Sequence, residues 1–295
     1  MVIFPEDDFG QPEGGITMNE KKTHEKISHL RRILDDSTYT VALCGSGMME
    51  EGGFIGIKKQ DKAYDIENRY GYGVEEMYSS AFYNTRPEQF FEFYKNEMLH
   101  NAPRDTPTGP ALAAMERDGK LQCVIDSNIY DSPRRGGCRQ VVNLHGSIYQ
   151  NQCPRCKKKY PLSYIMNARR VPICETCNIP VRPMISLVGE MVDSQNMTKT
   201  TEEITKADVL LLLGTTMASE VFRQYIKYFT GSHIVIIHKQ EHYLDKEASL
   251  VILDYPMNVL PKLGYGEKLR ISFQFYYVNS IFWFMWYNCP RHKTV

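Results

Sequence analysis

Net charge is the first thing this chain lacks: 35 basic and 35 acidic residues cancel across 295 positions. Without a global field, composition gives no support to a nucleic-acid or membrane-surface partner, and neither is expected. Tryptophan is scarce, and both copies fall in one aromatic run, FQFYYVNSIFWFMWY, at 273–287. That run is shorter than the ~20 residues a membrane-spanning helix needs, and Gln274 and Asn279 interrupt it. A secretory signal is not expected either, because MVIFPEDDFGQPEGG has no basic stretch followed by an apolar one. A disulfide framework is missing as well. Of eight cysteines, four form two close pairs, and Cys44 and Cys123 lie in or beside apolar runs. That usage predicts a reducing cytoplasm.

The paired cysteines are what is present. Cys153 and Cys156 are followed, after seventeen residues, by Cys174 and Cys177. Two residues between cysteines let one tight turn aim both sulfurs at a single ion. Two such turns close a tetrahedron, which is the spacing of a four-thiolate zinc ribbon. A closed site of that kind is structural, since catalytic zinc keeps an open position. Lys157, Lys158, Lys159, Arg169 and Arg170 between the pairs favour thiolates. The lysine run itself reads as a solvated face.

Along the chain, apolar residues Ile27, Leu30, Ile33 and Leu34 share one helical face, with Thr23 as an N-cap. Helices are also expected over 74–82, 87–99, 110–117, 198–206 and 220–229. Between them lie short apolar runs at 39–43, 121–125, 141–144, 184–188, 209–213, 234–237 and 250–252. Strands alternating with helices predict an α/β fold, a doubly wound and mostly parallel sheet with helices on both faces. A zinc-ribbon subdomain is inserted at about 148–183. The expected limits are a loose extension at 1–22, a body at 23–263 and an aromatic tail at 264–295.

Open parallel sheets bind ligands at the carboxyl ends of their strands. Four of the expected strands end in polar or glycine-rich turns: Cys44-Gly-Ser-Gly47, Asp126-Ser-Asn128, His145-Gly-Ser147 and Gly214-Thr-Thr216. The first can bring backbone amides and a helix start against a pyrophosphate, although it is not a complete GxGxxG motif. His145 can take a proton from a sugar hydroxyl. Asn128 offers a donor and an acceptor to a ribose hydroxyl or a water.

Glycine turn, Asn-Ile pair, Leu-His-Gly, two CxxC pairs, Gly-Glu and Gly-Thr-Thr, in that order, resemble the sirtuins, NAD-dependent protein deacylases. The resemblance covers roughly 27–263. It implies a Rossmann-like larger domain, a smaller one with structural zinc, and NAD and acyl-lysine meeting between them. By position, Gly45, Ser46 and Gly47 match the turn facing the NAD phosphates, and Asn128 the asparagine of the TQNID motif. His145 matches the catalytic base, Glu190 the glutamate of FGE with Val188 in place of phenylalanine, and Gly214, Thr215 and Thr216 the GTS turn. His238 stands where an asparagine binding the adenosine ribose is usual. Tyr130 replaces the aspartate of TQNID, Ser132-Pro133 the following Leu-His, and Ile55-Gly-Ile-Lys58 the usual PDFR.

The activity this implies is lysine deacylation with release of nicotinamide and 2′-O-acyl-ADP-ribose, on an acylated protein. Two alternatives stand beside it. One keeps NAD chemistry but transfers ADP-ribose to protein or hydrolyses NAD. The other is a non-catalytic module that binds NAD or ADP-ribose.

Overall fold

A computed structural model describes residues 18–266; the extension at 1–17 and the aromatic run at 273–287 lie outside the described residues. Its larger sheet is built from β1 (Thr40–Cys44), β2 (Cys123–Asp126), β3 (Val141–Asn143), β7 (Val209–Leu213), β8 (His233–His238) and β9 (Leu250–Leu253). A smaller one is built from β4 (Gly146–Gln152), β5 (Lys159–Tyr160) and β6 (Arg182–Ile185).

The larger sheet has six strands in the order β3-β2-β1-β7-β8-β9, and every neighbouring pair is parallel. Numbered by their own chain order, those strands run 3-2-1-4-5-6, the doubly wound arrangement whose order reverses between β1 and β7. Both strands at the reversal are buried at every position. That is why they read as unbroken apolar runs rather than alternating ones.

Alternate residues of these strands feed two cores. Ala42, Val124 and Leu211 pack under the helices Met18–Asp36 and Thr108–Arg117 through Leu30, Leu34, Leu112 and Met115. Val41, Leu43, Leu210 and Leu212 face the opposite side, where Ile204 of the helix Ser194–Lys206 meets them with Phe222 and Tyr225. A third core lies in the smaller lobe. Phe90, Phe91, Phe93 and Tyr94 pack there with Tyr160, Ile165, Cys153 and Cys174. Phe90 and Phe91 meet edge-on at 5.3 Å. Each such ring contributes roughly 1.5–3 kcal/mol by leaving water, which ties the cysteine module to the helical segment.

Several expected elements change. The first helix begins at Met18 rather than at Thr23, because Met, Glu and Lys upstream are good helix formers with no proline or glycine among them. The stretch 74–82 divides, since Ser79 is extended and caps the next turn through Phe82 N–H at 3.1 Å. Helix 87–99 ends in a π turn over Tyr94–Leu99. The stretch 220–229 narrows to Arg223–Ile226. A helix at Gln60–Tyr70 went unforeseen because only Ile66 of it is buried, leaving no periodic signal.

The run 184–188 does not join the parallel sheet. Arg182–Ile185 pairs antiparallel with β4 in a three-stranded sheet ordered β5-β4-β6. Its partner, GSIYQNQ, is too polar to stand out as a strand. No helix among the described residues is long and apolar enough to cross a membrane.

Candidate active site

In doubly wound sheets the strand reversal opens a crevice at the carboxyl ends of the strands, and here glycines set how closely its walls approach. Gly47 N–H donates to Gly214 O at 2.9 Å, and Gly45 N–H donates to Leu213 O at 2.9 Å. Gly214 sits in the left-handed region at φ 58°, and a Cβ there would lie 2.6 Å from Met48 N. A Cβ on Gly45 would lie 2.5 Å from that of Thr215. The turns 45–47 and 214–216 are therefore interlocked, not merely adjacent. Ser46 and Thr216 flank the contact, and a short helix, Gly47–Glu50, begins at the turn. Glu51, next in the chain, turns its carboxylate onto Thr106 Oγ1 at 2.6 Å and Met257 N at 3.0 Å.

Asn128 is buried beside this turn. Its Nδ2 donates to Gly45 O at 3.0 Å and to Asp126 Oδ1 at 2.8 Å. Both amide hydrogens are thus spent inside the protein. Ser127 Oγ donates to Cys44 O at 2.9 Å, which pins the same loop to β1.

His145 follows β3 and is half-buried. Its Nδ1 lies 2.8 Å from Ser127 O. A carbonyl only accepts, so Nδ1 carries the hydrogen and the neutral ring keeps the Nε2 lone pair for a substrate proton. Gly146 beside it has φ 78°, and a Cβ there would collide with Met184 O at 2.0 Å. Only glycine lets the chain turn from the histidine directly into β4.

Other expected residues are placed differently. His238 ends β8, buried, and its Nε2 lies 2.9 Å from Asp245 Oδ2, so only Nδ1 is left for a ligand. Glu190 is an anchor: it takes Arg182 Nη2 on both oxygens, at 2.8 and 2.6 Å, and Leu187 N–H at 2.9 Å. Tyr130 is 1 % exposed. Its ring stands 5.3 Å from Phe54, and its hydroxyl donates to Met98 O at 3.2 Å. It is a core residue. Asp131, one position later, adopts φ 58° and accepts from Asn143 Nδ2 at 2.6 Å and Ser147 Oγ at 3.0 Å. It braces the loops that carry Asn128 and His145. In the segment replacing PDFR, Ile57 is buried, Ile55 is exposed, and Lys58 pairs with Glu75 at 2.7 Å.

The sequence gives Asp126 no role beyond opening a polar strand-end turn. The available signal was a carboxylate closing an otherwise apolar strand, Cys123-Val-Ile-Asp126. Burial pushes its carboxyl up to about 7, against two hydrogen bonds from Asn128 that pull it down.

The cysteine module is preassembled. The ligand atoms of Cys153, Cys156, Cys174 and Cys177 all lie within 4.8 Å of one another. Four sulfurs so close, with no carboxylate or imidazole in the group, fit a closed structural zinc site. A hydrogen bond from the Tyr160 hydroxyl brings the Cys174 thiol down to about 6, so it is a ready thiolate donor.

Fold and site together define a class: a Rossmann-type nucleotide-binding domain with an inserted tetrathiolate module, and an amide and an imidazole at its strand-end crevice. Known proteins give the family. Residues 45–221 match the model of the Sir2 family. A curated relative, an NAD-dependent protein deacetylase from Cutibacterium acnes, is 34 % identical over 232 residues, 79 % of this chain and 93 % of that one. The solved structure described as the structural basis of sirtuin substrate affinity superposes with a TM-score of 0.72 at 24 % identity, covering 81 % of this chain and 98 % of that one. A Sir2 homologue variant in complex with 2′-O-acetyl-ADP-ribose superposes with a TM-score of 0.67 at 27 % identity, over 80 % and 94 % of the two chains. The chain belongs to the Sir2 family.

Proposed function

We propose that this chain is an NAD-dependent protein lysine deacylase that passes the acyl group to ADP-ribose and releases nicotinamide. The observation that carries it is the pair of fixed polar groups at the crevice: His145, held through Nδ1 by Ser127 O, and Asn128, held through Nδ2 by Gly45 O. The curated relative named above acts as an NAD-dependent deacetylase, and its likeness spans nearly its whole length.

NAD supplies the electrophilic ribose carbon that accepts the acyl oxygen as nicotinamide leaves, and the ribose hydroxyl on which the acyl group finishes. The protein's part is assigned from the positions of its own residues. Gly45, Ser46 and Gly47 let the backbone approach the phosphates without a side chain in the way. Gly214, Thr215 and Thr216 would hold the ribose and phosphates from the facing turn, and His238 would contact the adenosine ribose. Asn128 presents its amide oxygen to a ribose hydroxyl or water. His145 Nε2 removes the proton from the ribose hydroxyl that takes the acyl group. Zinc, held by the four cysteines, keeps the smaller lobe folded and takes no part in the chemistry.

We further take the domain limits as an N-terminal extension at 1–22, whose last residues, 18–22, belong to the first helix, a body at 23–263 with the zinc module at about 148–183, and a C-terminal tail at 264–295, whose Tyr265 packs against the body. Limited proteolysis that cuts first inside 30–260 contradicts this. The compartment proposed is the reducing cytoplasm, supported by the free buried thiols of Cys44, Cys123 and Cys138. Fractionation into an oxidising compartment contradicts it.

The test is NAD consumption with a panel of acyl-lysine peptides, every product resolved by mass, beside His145→Ala. O-acyl-ADP-ribose that forms with the native chain and disappears in H145A supports the deacylase. Nicotinamide release that depends on His145 without an acyl product turns the assignment to ADP-ribosyl transfer or hydrolysis. NAD binding with no turnover leaves a binding module.

A further inference from the structure

Asp126 holds a place that the family's TQNID motif gives to threonine, immediately behind Asn128. It is fully buried at the carboxyl end of β2. Its Oδ1 accepts Asn128 N–H at 2.9 Å and Asn128 Nδ2 at 2.8 Å. Its Oδ2 is buried with no hydrogen-bond partner among the described residues. A fully desolvated carboxyl is costly, and one that binds a single neighbour twice and nothing else has its effect through that neighbour.

We propose that Asp126 is a positioning residue: by taking one Nδ2 hydrogen of Asn128 while Gly45 O takes the other, it fixes the amide so that its carbonyl oxygen faces the crevice as an acceptor. A free asparagine amide can turn over, offering NH₂ to the ligand instead. With both hydrogens engaged, that flip breaks two bonds at once. Asn128 becomes a one-way group, suited to a ribose hydroxyl that donates.

The charge of Asp126 then bears on function. The groups facing it are few. Cys44 stands opposite on β1 in register, its thiol raised by burial first and by Asp126 after that, with Cys138 and Glu51 adding to it. Asp131, from the turn after Tyr130, adds negative charge. No cation is among the groups that shift it. The carboxyl therefore changes state in the neutral range, and ionisation strengthens both bonds to Asn128, since charge-assisted hydrogen bonds are about twice as strong as neutral ones. The orienting device is firmer above neutrality than below it.

The proposal rests on NAD occupying this crevice, so its test includes a readout in the ligand-free full-length chain. In Asp126→Asn, the side-chain oxygen can still accept both bonds but carries no charge. In Asp126→Ala, both bonds are lost. The Asn128 side-chain amide, followed by ¹⁵N NMR without NAD, is expected to titrate with a midpoint of about 7 in the native chain. It is expected to be flat in D126N, and to lose its two distinct slowly exchanging protons in D126A. With NAD and acyl-peptide, kcat/KM for NAD is expected to fall about 10- to 100-fold in D126A, as for lost bonds to a charged group. D126N is expected to retain most of the low-pH rate while losing the rise through neutrality. Asp126→Ala added to Asn128→Ala is expected to cost nothing further, because Asp126 acts only through Asn128. An Asn128 amide indifferent to D126A, or additive losses in the double variant, overturns the proposal. If the native chain neither binds NAD nor turns it over, while the ligand-free amide titrates as described, the positioning stands and the deacylase assignment fails.

Discussion

If the two glycine turns interlock as described, Gly214→Ala must cost more than its backbone angle explains. Gly214 has φ 58°, and an added Cβ would lie 2.6 Å from Met48 N and 2.7 Å from Gly47 Cα. Gly119 supplies the control: it has φ 71° and nothing within 4 Å of an added Cβ. Both substitutions place alanine in the left-handed region, at about 1–2 kcal/mol. Both also reduce unfolded-chain freedom equally, so that contribution cancels between them. What remains is steric. Backbone atoms cannot rotate aside as a side chain would, so overpacking adds about 1–3 kcal/mol at Gly214 alone. For a chain of this size each kcal/mol lowers the melting temperature by about 2–4 °C, so Gly214→Ala is expected to melt about 2–12 °C below Gly119→Ala. Thermal unfolding of the two variants and the native chain, with and without NAD, measures the difference. Displacing the loop also moves Gly47 and Asn128, so stabilisation by NAD is expected to vanish in the first variant and persist in the second. Equal melting temperatures with NAD binding intact refute the close approach.

Tyr130→Asp, which writes the TQNID aspartate back into the sequence, is expected to destabilise by about 3–5 kcal/mol by urea titration. It empties a fully buried ring site and leaves a carboxylate there; a loss below about 1 kcal/mol refutes the core role. Asp208 keeps its charge to low pH, because hydrogen bonds from Ser37, Thr38 and Tyr39 outweigh the burial that would raise it, and it titrates at about 2 against an ordinary 3.8. Its stabilisation is therefore complete above pH ~4 and lost as pH falls toward 2. Asp208→Asn is expected to cost about 1–2 kcal/mol at neutral pH, allowing for solvent screening, and nothing at the acid end; an unchanged acid arm contradicts this. One zinc per chain is expected by native mass spectrometry, and Cys174→Ser or a strong chelator should remove it and lower the melting temperature sharply. A zinc-free native chain with unaltered melting under chelator would remove the module's structural role.

The buried strands, the cysteine pairs and the placing of His145 and Asn128 just after strands were legible in the linear chain because each rests on local chemistry. Strands buried on both faces leave continuous apolar runs such as Val209–Leu213, cysteine spacing is dictated by the turn that aims two sulfurs, and glycine marks turns no other residue makes. Family motifs sharpened those expectations at Gly45, Glu190 and Gly214. They said nothing of how Glu190 is used, as an anchor for Arg182.

Tertiary structure decided whatever depends on distant partners. Tyr130 looked like a damaged motif, yet it is a core ring because Phe54 and Met98, remote in sequence, close around it. Helix Gln60–Tyr70 carries almost no apolar periodicity; it is tied in at its C-terminal end by Arg69, which reaches the buried Glu97 at 2.8 Å. Strand Gly146–Gln152 is specified by its antiparallel neighbour, not by its own polar residues. Asp126 gives the sharpest contrast. The sequence set a carboxyl at the end of an apolar strand and an asparagine two residues on that bonds it twice, but only the packing of the whole chain removed its water. Local pattern determines which elements form, and burial, which is a property of the whole chain, determines what each polar group among them can do.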